Sequence, residues 1–224
     1  MARVYLHNAN ELPFRSIREE LLNSLIHGIG LALSIVGLCI LLMIASDRGT
    51  SWHLVSCGIF SSALVMLYLS STLYHGFQSG LAKKAFRKLD HFSIYILIAG
   101  SYTPFALTIL KDNYGLYLFY TQWGLAFIGI MFKFFFGYRY DFPCTIAYAI
   151  MGWAALFLIK PLMEGLPGFG FLWLLTGGLL YTFGIPFYFK DKKAPYFHAI
   201  WHIFVLLGSA CHFFAVLFYV IPTS

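Results

Sequence analysis

Long, continuously apolar runs separated by short polar breaks occupy nearly the whole chain. Each is about 20 residues, the length of helix that crosses a ~30 Å hydrocarbon core. Seven are read: Ser24 to Ala45, His53 to His75, His91 to Leu110, Leu116 to Phe136, Pro143 to Ile159, Phe169 to Phe189 and Pro195 to Ile221. The runs lack period-two alternation, which favours helices over a β-barrel, and a helix satisfies every backbone group within one segment. The expected fold class is an all-α integral membrane protein, a seven-transmembrane helix bundle. Residues 24–221 form its single domain, preceded by a polar lead-in at residues 1–23. The first run is too long for a signal-peptide core and no small-residue cleavage site follows it, so Met1 to Asn23 is expected to be retained. No long-period repeat or low-complexity tract breaks the pattern.

Composition agrees: 60% of the 224 residues are hydrophobic and 11% charged, against roughly half and a quarter in a soluble domain. The formal net charge of +6 could suggest nucleic acid, but no separate basic domain exists and no nucleic-acid partner is expected. The basic residues flank the spans instead. Arg3, Arg15, Arg18, Lys83, Lys84, Arg87, Lys88, Lys133, Arg139, Lys190, Lys192 and Lys193 share one side; Arg48, Lys111 and Lys160 hold the other. The positive-inside rule then places the N-terminus in the cytoplasm and the C-terminus outside. Tyr114, Tyr117, Tyr120, Trp52, Trp153, Trp173 and Trp201 near span ends fit aromatic belts. Cys39, Cys57, Cys144 and Cys211 stand singly in apolar runs and read as buried hydrophobes, not disulfides or ligands.

Ionisable groups in or at the ends of spans are costly and need a partner, a cavity or a task. His198 and His202, spaced i, i+4 at the start of the last run, share one helix face about 6 Å apart. His75 ends the second run and Asp90 begins the third, which the topology places at the same level. Three histidines with an open position are the arrangement of a catalytic zinc, whose fourth site holds water of lowered pKa. Asp90 could accept a proton from that water, and Ser71, one turn before His75, could orient the imidazole or bond the water or substrate. Helix-end histidines also sit at headgroup interfaces as amphipathic side chains, and a histidine and carboxylate cluster also serves as a proton relay. Glu20, Asn23 and His27 form a polar stripe at i, i+3 and i+7, read first as a structural network and second as support for the site. His212 lies about 15 Å beyond His202 along a helix, too deep to join it. His91 points about 100° away from Asp90, toward a neighbouring helix or the interface; His53 and His7 have no role in this pattern. Pro104 and Pro186 are expected to kink spans three and six near a cavity.

The pattern Ser71-x-x-x-His75, Lys88-Leu89-Asp90 and His198-Ala199-Ile200-Trp201-His202 resembles the hemolysin III proteins, the bacterial branch of the progestin and adiponectin receptor superfamily. Glu20-Leu-Leu-Asn23-Ser-Leu-Ile-His27-Gly28 and Gly100-Ser-Tyr-Thr-Pro104 resemble the same branch, and the likeness covers essentially the whole chain. It implies a seven-helix bundle holding Zn2+ through His75, His198 and His202 near the cytoplasmic face, with Asp90 matching the aspartate that holds the metal's water. The superfamily resembles a wider group of membrane hydrolases that includes alkaline ceramidases. The resemblance therefore implies a metal-dependent hydrolase of the cell membrane acting on lipid amides, with Asp90 and Ser71 catalytic and a membrane lipid or acyl chain as substrate. Two alternatives stay open: a non-enzymatic role in membrane fluidity, lipid homeostasis or sensing, and the cytolysis that the family name implies.

Overall fold

A computed structural model describes residues 15–166 and 168–222; Arg3 and His7 lie outside them. Among the described residues eight α-helices follow in order: α1 (Ile17–Arg48), α2 (Ser51–Gly76), α3 (Gly80–Leu107), α4 (Leu116–Phe136), α5 (Asp141–Gly152), α6 (Ile159–Gly165), α7 (Phe169–Phe189) and α8 (Phe197–Tyr219). A short 3₁₀ segment, Ala154–Leu158, links α5 to α6, so the fifth apolar run is one interrupted rod. No strand occurs among the described residues.

The first helix starts inside the expected lead-in. Ser16 and Glu19 form a reciprocal capping box, the Ser16 side chain accepting from Glu19 N–H and the Glu19 carboxylate from Ser16 N–H, which satisfies orphan amides of the first turn. From there α1 buries Glu20, Asn23, His27, Gly30, Ser34, Gly37, Leu41 and Ala45. That spacing of three to four residues puts all eight on one face, while Ile17, Leu21, Leu25, Ile29, Leu33 and Val36 of the other faces stay exposed. Gly30 permits the close crossing with α2, because a Cβ there would come within 2.6 Å of the Tyr68 ring. Residues of α1, α2, α3 and α8, including Leu41, Phe60, Leu64, Leu97, Val205 and Val216, make the main core.

Six helical segments among the described residues are long and apolar enough to cross a membrane: Ile17–Arg48, Ser51–Gly76, Lys111–Phe136, Asp141–Gly165, Phe169–Phe189 and Phe197–Tyr219. The third run, in α3, falls outside this group for a physical reason. Half of α3 is buried, including Ser93, Tyr95, Gly100, Tyr102, Thr103 and Pro104, and it packs on α2, α4, α5 and α8. Surrounded by protein, it does not need the apolar surface that lipid demands. Pro104 and Pro186 both lie inside continuous helices. The aromatic belt divides. Tyr114, Tyr117, Tyr120 and Trp52 are exposed, whereas Trp153 donates to Thr182 Oγ1 at 3.0 Å and lines an internal cavity with Trp201. All four cysteines are free; Cys39 is exposed and the other three are buried.

Candidate metal centre

The three histidines singled out in the sequence, two by spacing and His75 by its place at a span end, converge. His75 is in the last turn of α2 and fully buried; His198 and His202 occupy the first turns of α8 and are buried too. Ring centroids lie 5.1 Å apart for His75 and His198, 4.9 Å for His75 and His202, and 4.6 Å for His198 and His202. One ring nitrogen from each falls within 4.8 Å of the others, so a single ion is within reach of all three.

The start of α8 is fixed by an unusual backbone. Tyr196, just before the helix, has φ 62°, a left-handed conformation costing roughly 1–2 kcal/mol for a residue with a Cβ. It is held there by Glu19 of α1, whose Oε1 accepts the Tyr196 N–H at 3.0 Å. The same clasp involves Arg15, which donates to Asp191 Oδ2 at 2.5 Å in the loop between α7 and α8. Burial works against the charge of Arg15, but Tyr74, Asp191 and Glu20 outweigh it and hold its pKa above the ordinary arginine value.

Polar partners surround the histidines. Glu20 Oε2 lies 2.8 Å from His75 Nδ1 and accepts from Lys83 Nζ at 3.1 Å. Lys83 also donates to the carbonyls of Tyr74 and Phe77 at the end of α2. Asp191 Oδ2 lies 2.9 Å from His198 Nδ1. His27 stacks flat on His202, with centroids 3.6 Å apart. In contrast, His75 Nε2, His198 Nε2 and His202 Nδ1 are buried without a hydrogen-bond partner, as are both amide atoms of Asn23, both ring nitrogens of His27 and the Ser71 hydroxyl. Buried polar groups are nearly always paired, and each unpaired one costs about 1–3 kcal/mol. Unpaired nitrogens on all three converging histidines suit a site that binds something polar. Two Nε2 atoms freed in this way, on a set of three imidazoles, suit a borderline-soft divalent ion such as zinc.

Asp90 is half-buried and lines a polar cavity of about 240 Å³ with His27, His91, His198, His202, Arg15 and Arg87. Its backbone is tied to α2: Ser93 Oγ donates to the Asp90 carbonyl at 2.7 Å and lies 3.2 Å from Ser70 Oγ. Ser71 is fully buried one turn before His75. His91 packs edge-on against Tyr138, as its direction on the helix implied, but also lines the polar cavity. His212 stands apart, its Nε2 3.3 Å from the Leu174 carbonyl, and lines a second cavity. His53 Nδ1 accepts from Thr50 N–H and caps α2. Arg15, Lys83 and Asp191 were missed as site residues; Arg15 and Lys83 were counted as loop charges. No spacing signal links Arg15 to a histidine 183 residues away.

The second cavity, of about 180 Å³, is almost wholly apolar and lies between α3, the α5–α6 rod, α7 and α8. It shares Leu67, Ile94, Tyr188, Trp201 and Val205 with the polar cavity. The two chambers therefore adjoin along these five residues, and His198 and His202 line the polar one.

Apolar helices around a buried three-histidine cluster define a helical membrane protein with a candidate metal centre. The chain matches the Haemolysin-III related family model over residues 15–213 and belongs to that family. It is 48% identical over 208 residues to Hemolysin-3 of Bacillus cereus, covering 93% of this chain and 94% of the relative. The Hemolysin-3 homolog of Bacillus subtilis (strain 168) is 47% identical over 204 residues, 91% and 95% of the two chains. A human protein, Monocyte to macrophage differentiation factor, is 27% identical over 205 residues, 88% and 83%, in keeping with the progestin and adiponectin receptor superfamily.

Proposed function

We propose that this chain is a zinc-dependent hydrolase of lipid amides, ceramidase-like in reaction, spanning the cell membrane seven times with its N-terminus in the cytoplasm. The observation that carries this reading is a polar chamber, lined by His198 and His202 of the three histidines that could share one ion, adjoining an apolar one. An acyl chain fits the apolar chamber, which leaves its amide beside the histidines. The seventh span is α3, in which Ser93, Tyr95, Tyr102 and Thr103 are buried. The positive-inside count supports the orientation.

His75, His198 and His202 would hold the ion. Zinc bound there supplies Lewis acidity toward the amide carbonyl and an activated water. Asp90, facing the polar chamber, takes the proton from the attacking water and passes it to the amine nitrogen as the C–N bond breaks. The Ser71 hydroxyl, buried and unpaired, donates to the oxygen on which negative charge develops. Water thus adds to the carbonyl carbon, and a fatty acid and an amine leave.

The test is Asp90→Asn, assayed on ceramide-like and other acyl amides in detergent. Turnover should fall about 10²- to 10⁴-fold, as expected for loss of a general acid–base, while zinc stays bound. Unchanged turnover in Asp90→Asn contradicts the role given to Asp90, and none in the zinc-loaded wild type on any acyl amide contradicts the hydrolase. Zinc without turnover would favour a role in lipid homeostasis or sensing. The names of the two Bacillus relatives support a second reading, cytolysis; release of haemoglobin by wild type and Asp90→Asn alike would favour it.

A further inference from the structure

Two of the three histidines present the same local chemistry. In each, Nδ1 faces a carboxylate, Glu20 for His75 and Asp191 for His198, and Nε2 is buried without a partner. An ionised carboxylate can only accept, so the nitrogen facing it carries the proton. Arg15 Nη2 also lies 3.0 Å from His198 Nδ1. Nη2 carries two hydrogens and gives one to Asp191 Oδ2. A bare Nδ1 2.9 Å from that anionic oxygen would repel it, so we assign the proton to Nδ1, with the second Nη2 hydrogen turned away. Both rings are thereby set with Nδ1–H outward and the Nε2 lone pair toward the centre.

Each carboxylate is also pinned by a cation. Lys83, itself buried, holds Glu20, and Arg15 holds Asp191. So anchored, neither carboxylate joins the group of side chains that could share one ion, which among the described residues consists of the three histidines alone. The anchors come from elsewhere in the chain: Glu20 from α1, Lys83 from α3, Asp191 from the loop before α8, and Arg15 from the residues before α1.

We propose that Glu20 and Asp191 are positioning residues for metal binding, locking His75 and His198 as Nε2 ligands, with Lys83 and Arg15 keeping the two carboxylates out of the ion's own shell. The inference rests on the reading that the triad holds a metal. Such outer partners orient the imidazole and raise its basicity, and their loss lowers metal affinity about 10- to 100-fold.

The experiment measures zinc affinity by competition with a chromophoric chelator for full-length, detergent-purified wild type, Glu20→Gln, Asp191→Asn and the double variant. It is paired with the visible spectrum of the cobalt-loaded proteins and thermal melting of the metal-free forms. Each single change should loosen zinc about 10-fold and the pair about 100-fold, with altered cobalt bands. The metal-free forms should also melt lower, because Lys83 and Arg15 lose their anionic partners, so affinity is compared among variants that remain folded. Glu20→Asp keeps the charge that pairs Lys83 but is one methylene shorter, so it should loosen zinc in a protein that still folds. Zinc held as tightly by the variants as by a loaded wild type overturns the proposal and leaves the metal centre standing. Wild type that takes up no zinc overturns both.

Discussion

The α1, α2, α3 and α8 half of the bundle and the α4 to α7 half are built differently. In the first, α2 buries twelve residues, from Ser56 and Cys57 to Tyr74 and His75, and α8 buries ten. In the second, α7 buries only Gly170, Gly177 and Gly184, and α4 only Gln122, Ala126 and Lys133. The tight half holds every histidine of the triad, while the loose half, with α3 and α8, encloses the apolar chamber. A metal centre needs side chains held in place by packing and hydrogen bonds. A chamber for a flexible chain needs room. The contrast teaches that burial is concentrated where the histidines converge.

The largest expected effect lies in the tight half. Glu20→Leu leaves Lys83 and His75 buried without their acid, and removal of one partner of a buried ion pair costs about 3–5 kcal/mol; a steep fall in thermal midpoint in detergent checks it. Next comes the α1–α2 crossing. Gly30→Val drives methyl groups into the Tyr68 ring and should cost about 1–3 kcal/mol by overpacking. The matched change in the loose half, Gly124→Ala on α4, meets nothing within 4 Å. It should be neutral or add up to about 1 kcal/mol through helix propensity, and equal losses at Gly30 and Gly124 would break the comparison. The smallest effect tests the chamber. Gly178→Leu projects into it beside Trp153 and should slow turnover of long-chain amides about tenfold, within the 1–3 kcal/mol that pocket methylenes command. Short-chain substrates and zinc content should be unaffected.

Hydropathy made most of this architecture legible, because continuous apolar runs need lipid or core around them. It could not tell which faces meet protein. Hence α3, whose buried face carries Ser93, Tyr102 and Thr103, is less apolar than the other spans, and Lys83, Arg87 and Lys133, placed by sequence at span ends, are buried. Lys83 pairs with Glu20, Lys133 with Asp141, and Arg87 packs on the Tyr138 ring at 3.5 Å. The His198 and His202 pair was readable because i, i+4 spacing fixes a shared face whatever the tertiary fold. His75 and Asp90 were readable from their places at span ends. The Glu20, Asn23 and His27 stripe was seen as a face, and its packing on His75 and His202 emerges only when α1 meets α2 and α8. Asp191 and Arg15 carry no local signature, since their chemistry arises from a contact between distant segments.

The central claim is that the triad holds a zinc ion. Elemental analysis of detergent-purified wild type beside His198→Ala plus His202→Ala tests it most directly. The account predicts about one zinc per chain in the wild type, as a single three-histidine site requires, and loss of it in the variant. No zinc in the wild type, or the same amount in both proteins, would contradict it.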